Sequence, residues 1–314
     1  MKSPLSLCLC LVALCLVAGP QSASASKKPE KSVEKSAAKK GEPAPSEEEA
    51  AIAEFESQLD FRRGRVELPG GVASLDVPEN FRYLSPEQAD RILVEAWGNP
   101  PGTKTLGMLF PSDVSPLAAG GWGVVITYRD EGHVDDGDAN GIDYDGLLKQ
   151  MKDDSVADNK ERENEGYEPA TLVGWATKPR YDAAAHKLYW ARELSFPSAD
   201  EHTLNYDIRV LGREGVLSFN AVAGMSQLSD IEGRMKEVMS FADFRTGQRY
   251  ADYKSGTDRT AAYGIGALVA GKLAAKAGLF KLLFAALLAG KKFVLLALAG
   301  VGALVAKLFR RNKA

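Results

Sequence analysis

From Thr203 to Leu211 apolar and polar side chains alternate without a break. Leu204, Tyr206, Ile208 and Val210 fall on one face, and Asn205, Asp207 and Arg209 on the other. Period-two alternation marks a strand with one dry face. Strand-like segments also cover Thr171–Thr177, Lys187–Phe196 and Val216–Ala223. The links between the four are short and rich in turn residues: Pro179 to Ala185, Pro197 to Glu201, and Gly212 to Gly215. Links this short force antiparallel neighbours, so the segments predict a four-stranded meander. Leu228–Phe241 predicts a helix that covers its apolar face.

Upstream, Val66–Leu68 and Val72–Val77 flank Pro69-Gly70-Gly71 and predict a hairpin. Ser85-Pro86-Glu87-Gln88 combines an N-cap, a first-turn proline and a capping-box partner. The helix it opens presents Ile92, Leu93 and Ala96 and stops before Gly98-Asn99-Pro100-Pro101. Gly107–Phe110 and Trp122–Tyr128 predict strands, and an acidic loop from Asp130 to Asp143 follows. Next comes a polar helix with Leu147, Leu148 and Met151 as its apolar stripe and a charged second half, Asp153–Glu165. Earlier, Ser46 and Glu49 form a capping box for a helix reaching about Leu59, with Ile52, Phe55 and Leu59 on one face. Strands in runs with helices packed beside them give the α+β class. No internal repeat or nucleotide-binding glycine motif is present.

The two ends follow other patterns. Lys2, the apolar stretch Leu5–Val17 and Ala23-Ser24-Ala25 make the three parts of a secretory signal, with cleavage expected after Ala25. Residues 26–60 read as a disordered linker and a short helix, and 61–258 as the exported domain. The region 259–314 is expected to be a basic, apolar membrane anchor. That region contains no acidic residue, whereas the body before it is net acidic, and this segregation suits a body held to a membrane surface. A transmembrane helix is expected near 293–309, flanked by Lys291, Lys292 and Arg310-Arg311. Gly264–Gly290 is interrupted by Lys272, Lys276 and Lys281, so it lies in the interface or pairs with the last segment as a hairpin, with a buried soluble helix pair as the least attractive reading. Truncation before Arg259 is expected to leave a folded body. The expected fold is therefore an α+β antiparallel sheet, meander included, covered by helices and followed by a C-terminal transmembrane helix.

Cys8, Cys10 and Cys15 all fall inside the signal. The mature chain then has no disulfide, thiolate nucleophile or cysteine-ligated metal. Three histidines, His133, His186 and His202, lack metal-helix spacing, and Ser195 and Ser218 lack a nucleophile-elbow setting. No catalytic residue is assigned. The acidic loop carries the best local chemistry, because Asp136, Asp138, Asn140 and Gly141 match the opening D-x-D-x-N-G of a calcium loop. Leu147 stands where a bidentate Glu should close the site, so the competing reading is a solvated acidic turn that caps the next helix. Asp136, Asp138 and Asn140 are the candidate metal ligands, with calcium the candidate ion. Trp97, Trp122, Trp175 and Trp190 read as core first, and as a groove for peptidoglycan or peptide second. Gly174-Trp175-Ala176 and Tyr189-Trp190-Ala191 are candidate cross-strand neighbours.

Several stretches together resemble a known family. They are Gly64–Leu68, Trp97-Gly98-Asn99-Pro100-Pro101, Gly107–Pro111, Trp122–Ile126, Gly174–Ala176, His186–Ala191, Leu204-Asn205-Tyr206, Leu211-Gly212-Arg213, Gly215-Val216-Leu217 and Ala262-Tyr263-Gly264. In this order they resemble the uncharacterised bacterial membrane-anchored proteins grouped as domain of unknown function 2167. The resemblance implies an exported domain followed by a membrane anchor, and brings no activity, cofactor or catalytic residue. Gly137 and Gly141 depart from that family's acidic loop. The functional expectation is a non-enzymatic binding or scaffolding component of the bacterial envelope. It would sit in the periplasm on the inner membrane, with the lipid bilayer and an envelope protein as partners and no nucleic acid. An envelope hydrolase and a weak calcium module are the alternatives.

Overall fold

The computed structural model describes residues 47–271 except residue 119. Helices are α1 (Glu47–Ser57), α2 (Pro86–Asp90), α3 (Tyr144–Asn164), α4 (Leu228–Phe241) and α5 (Ile265–Ala270). Strands are β1 (Gly64–Glu67), β2 (Ala73–Val77), β3 (Phe81–Leu84), β4 (Gly107–Pro111), β5 (Gly123–Arg129), β6 (Thr171–Asp182), β7 (Lys187–Ser195), β8 (Thr203–Leu211), β9 (Val216–Gly224) and β10 (Ala242–Phe244). They build a seven-stranded sheet in the order β3-β4-β5-β9-β8-β7-β6 and a three-stranded sheet in the order β1-β2-β10. The pairs formed by β6, β7, β8 and β9 are consecutive and antiparallel, and all three links are short.

One face of the large sheet is dry. Phe81, Leu109, Val124, Ile126, Leu204, Tyr206, Ile208, Leu217, Phe219 and Ala221 line it, and Ile231, Met235 and Val238 of α4 cover it. Those three residues are spaced four and three apart, so one stripe of α4 meets the sheet. The small sheet joins the same core through Leu75, Val77 and Phe244.

Among the described residues the opposite face is covered only at its two ends. At one end Met108, Phe110 and Val125 meet Ala89, Ile92 and Leu93, with Phe55 and Leu59 beside them. At the other end Leu188, Trp190, Leu211 and Val216 meet Ile265, Leu268 and Val269 of α5, with Leu147 of α3 alongside. Between the two clusters the middle strands present polar side chains. The sequence reading took this face of β8 as outward, yet Asp207 has no exposed surface.

Two local features depart from expectation. Residues 179–182 extend β6 rather than forming a turn, and three register irregularities interrupt its pairing with β7. β6 is an edge strand, where bulges and Pro179 are tolerated and discourage further pairing. The turn is shorter: the Asp182 side chain accepts from the amides of Ala184 and Ala185 at 3.0 Å, and His186 closes it at φ 50°. After α2 the chain continues as a π-helix over Arg91–Ala96.

The expected C-terminal transmembrane helix is corrected. Among the described residues no helix is long and apolar enough to cross a membrane. The segment 293–309 lies outside the described residues, as do the signal at 1–25 and Ser46. The apolar side chains that open the C-terminal region, Ile265, Leu268 and Val269, are buried in the protein's own core. The body thus continues past Asp258. His133 and residues 259–261 exchange backbone hydrogen bonds of 2.8 Å, and Arg213 grips Asp258 with two bonds of 2.7 and 2.8 Å.

A fragment of residues 47–258 should therefore be less stable than one of 47–271. Ile265, Leu268 and Val269 are each almost wholly buried. At roughly 1.5–3 kcal/mol per buried aliphatic side chain, the expected loss is on the order of 5 kcal/mol. Equal urea midpoints for the two fragments would show that α5 adds nothing to the core.

Candidate functional site

The uncovered middle of the sheet is the floor of an open cleft of about 960 Å³, within the size range of small-molecule sites. β-sheet register sets the floor. Asn220 of β9 lies between Val125 of β5 and Asp207 of β8, and Asn205 lies between Val222 of β9 and Arg192 of β7. One rim is the loop that follows the π-helix, Trp97 to Thr103; the other carries Tyr167, Glu168 and Phe196. The Trp97 loop is fixed from below. The Trp97 indole donates to the Pro116 carbonyl at 3.1 Å, and the Asn99 amide and side chain both donate to the Leu93 carbonyl. Gly98, at φ 65°, supplies the left-handed turn that this route needs.

A buried ion network anchors the floor. Asp207 accepts from Arg192 Nη2 at 3.0 Å and from Arg209 Nη2 at 2.9 Å. Arg209 also donates to the Ser218 hydroxyl and lies 5.3 Å from the Trp190 ring. Burial pushes the Arg209 pKa below its ordinary value, and the Asp207 carboxylate pulls it back. A buried carboxylate is sustained only by such pairing. The network is nonetheless incomplete, because Arg192 Nε, Arg209 Nε and Asn220 Nδ2 are buried without a hydrogen-bond acceptor among the described residues. None of these residues was singled out as a site from the sequence. The available signal was polar residues at alternate positions on three successive strands, with opposite charges on β7 and β8.

The acidic loop comes together differently from a calcium site. Asp136 accepts from the Tyr181 hydroxyl at 2.7 Å and lies 3.5 Å from His186 Nδ1. Asp138 instead accepts from the amides of Ile265 and Gly266 at 2.9 and 3.3 Å, capping α5. A Cβ at Gly264 would come within 2.5 Å of that carboxylate, so glycine permits the cap. Asn140 is exposed on a short 3-10 turn. Asp143 caps α3 by accepting from the Gly146 amide at 3.0 Å, and Asp145 pairs with Lys178. Among the described residues no group of three or more His, Cys, Asp or Glu side chains could hold a metal ion.

His133 does not meet these acids. It is stacked on Tyr253 with ring centres 3.9 Å apart and rests on Tyr250 at 4.3 Å. His186 stacks on Tyr250 at 4.0 Å, so the Tyr250 ring separates the two imidazoles. His202 pairs with Glu193 at 2.6 Å. Trp122 and Trp190 are core, the Trp175 indole donates to the Tyr144 carbonyl at 3.2 Å, and Trp97 lines the cleft. Trp175 stands directly opposite Arg192, with Trp190 in the same apolar cluster.

Residues 60–302 match the family described as Protein of unknown function (DUF2167). The chain belongs to that family. No curated protein matches it. Among solved structures it is similar to PsbP (CyanoP) from Synechocystis sp. PCC 6803, at 10% identity and TM-score 0.32, covering 60% of this chain and 94% of that one. It is also similar to the Ran-binding protein Mog1p of Saccharomyces cerevisiae, at 10% identity and TM-score 0.31, covering 59% and 96%. Likeness this distant carries no functional weight. Within the DUF2167 stretch, three of the pieces quoted for the resemblance meet at the cleft: Trp97 to Pro101 on the rim, and Val125 and Asn205 on the floor.

Two outcomes follow from this geometry. Asp207→Ala leaves two guanidinium groups without their shared carboxylate, and should cost about 3–5 kcal/mol in urea unfolding. A loss within error of zero would mean that the network is already screened by solvent. The second concerns acid. Partial burial alone would raise the Asp136 pKa, but the Tyr181 and Tyr250 hydroxyls and the His186 ring outweigh it and hold the carboxyl below its ordinary 3.8. A lowered carboxylate pKa contributes stability above the unfolded value and loses it as pH falls through the folded one. The stability gap between wild type and Asp136→Asn should therefore narrow as pH drops below 3.8. A gap independent of pH in that range would remove Asp136 from the acid response.

Proposed function

We propose that this DUF2167 protein is a non-enzymatic binding domain of the bacterial envelope, exported to the periplasm, with the cleft as its binding site. The observation that carries the reading is the chemistry of the floor. Its polar groups are held rigidly on strands, as recognition requires. Yet among the described residues the lining contains no histidine or cysteine, and its two carboxylates are both committed. Asp207 is held by two arginines, and Glu168 accepts from the Ser198 hydroxyl and amide. A hydrolase needs a poised acid and base or an activated nucleophile. Support for export comes from Lys2, the Leu5–Val17 apolar stretch and the Ala23-Ser24-Ala25 site.

A thermal-shift screen of short peptides, cell-wall fragments and small organic acids against the full chain tests this. A ligand at a hundredfold excess over its Kd should raise the Tm by roughly 5 °C or more. The shift should vanish in Val222→Trp, which fills the cleft floor, and the ligand should be recovered unchanged. Chemical conversion of the stabilising compound would establish an enzyme instead. An undiminished shift in Val222→Trp would move the site elsewhere.

A further inference from the structure

We propose that the cleft takes a monocarboxylate, its carboxylate seated against Arg192, Arg209 and Asn220 and its apolar body lying along Trp97, Leu194 and Val222. This rests on the reading of the cleft as a binding site and names what it binds. Among the described residues, Arg192 Nε, Arg209 Nε and Asn220 Nδ2 are three buried donors without an acceptor, and all belong to cleft-lining residues. They come from three adjacent strands, and the pairings Asp207 with Asn220 and Arg192 with Asn205 confine them to one patch. A buried donor left unpaired is costly, and a cluster of three calls for an acceptor supplied from outside the chain.

Charge decides which acceptor. The lining holds the guanidinium groups of Arg162, Arg192 and Arg209 against the carboxylates of Glu168 and Asp207, which leaves one positive charge. One negative charge neutralises it. A dianionic phosphate overshoots, and a neutral amide leaves the surplus charge unpaired. Guanidinium groups also present their donors in a planar fork that matches a carboxylate. Arg192 is the residue that reaches outward: its side chain is 26% exposed, against 17% for Arg209 and 1% for Asp207. A small turn of Arg192 engages the ligand while Asp207 holds the base of the network. The apolar lining beside this patch gives a carboxylate with an apolar body contacts that a free inorganic anion cannot make.

Calorimetric titration of the full chain with four probes tests the assignment: hexanoate, N-acetyl-leucine, hexanamide and hexyl phosphate. Saturable binding of hexanoate or N-acetyl-leucine is expected, and the tighter of the two distinguishes a fatty acyl chain from a peptide C-terminus as the source. Hexanamide should bind about tenfold more weakly or worse, as should hexanoate to Arg192→Gln. Asn220→Ala, which leaves the ion network whole, should weaken hexanoate about fivefold. Thermal melting of both variants separates loss of binding from loss of fold. Hexanamide binding as tightly as hexanoate would overturn the carboxylate while leaving the cleft a binding site. Hexyl phosphate binding more tightly than hexanoate, or heats equal to those of sodium chloride, would also overturn it.

Discussion

Asp207 sits on β8, an interior strand of the seven-stranded sheet, with two guanidinium groups closed around it. A charge with no exposed surface must be satisfied by its neighbours, and those neighbours lie on its own strand and the next one. The requirement fixes Arg192 on β7 and Arg209 on β8, and through Arg209 the Ser218 hydroxyl of β9. Three strands are thereby tied on the face that helices leave open. On the other face the same strands are tied by ordinary apolar packing under α4. One ladder thus carries two cores, one dry and one ionic.

The cleft exists because cover on that face is split. The π-helix and the Trp97 loop pack over β4 and β5, while α3 packs over β6 and α5 over one end of β7, β8 and β9. Had a single helix run across the middle, the polar row would have been sealed with three donors unpaired. Split cover instead gives an open floor whose side chains are positioned by strands rather than by loops. The tradeoff is visible in the three donors left without acceptors among the described residues.

The acidic loop serves the opposite end of the molecule. Asp130 pairs with Arg259, Glu131 accepts from Tyr263, and Asp138 caps α5. Together with the ring stack of His186, Tyr250, His133 and Tyr253, these contacts clamp residues 250–271 onto the sheet. Acids grouped closely in sequence are here distributed among separate partners. Side-chain direction, not spacing along the chain, decides which partner each acid meets, and the α5 amides set it for Asp138.

Local pattern was enough for the meander, the β1–β2 hairpin, α3 and α4. Each rests on periodicity and turn chemistry within a few residues, and Leu204, Tyr206, Ile208 and the α4 stripe are interactions that repeat along the chain. β3 and β10 escaped it, being four and three residues long and defined by partners far away in sequence. The charge segregation of the C-terminal region was plain in the sequence, but Ile265, Leu268 and Val269 are as apolar in a core as in a bilayer. Composition cannot choose between those two surroundings. The site was hidden for a related reason. Asn205, Asp207 and Arg209 alternate as a solvated face would, and only the pairing of β8 with β7 and β9 brings opposite charges together there. Sequence determined which face of each strand was polar; tertiary structure alone decided that this face was a cleft, because burial depends on what packs beside it.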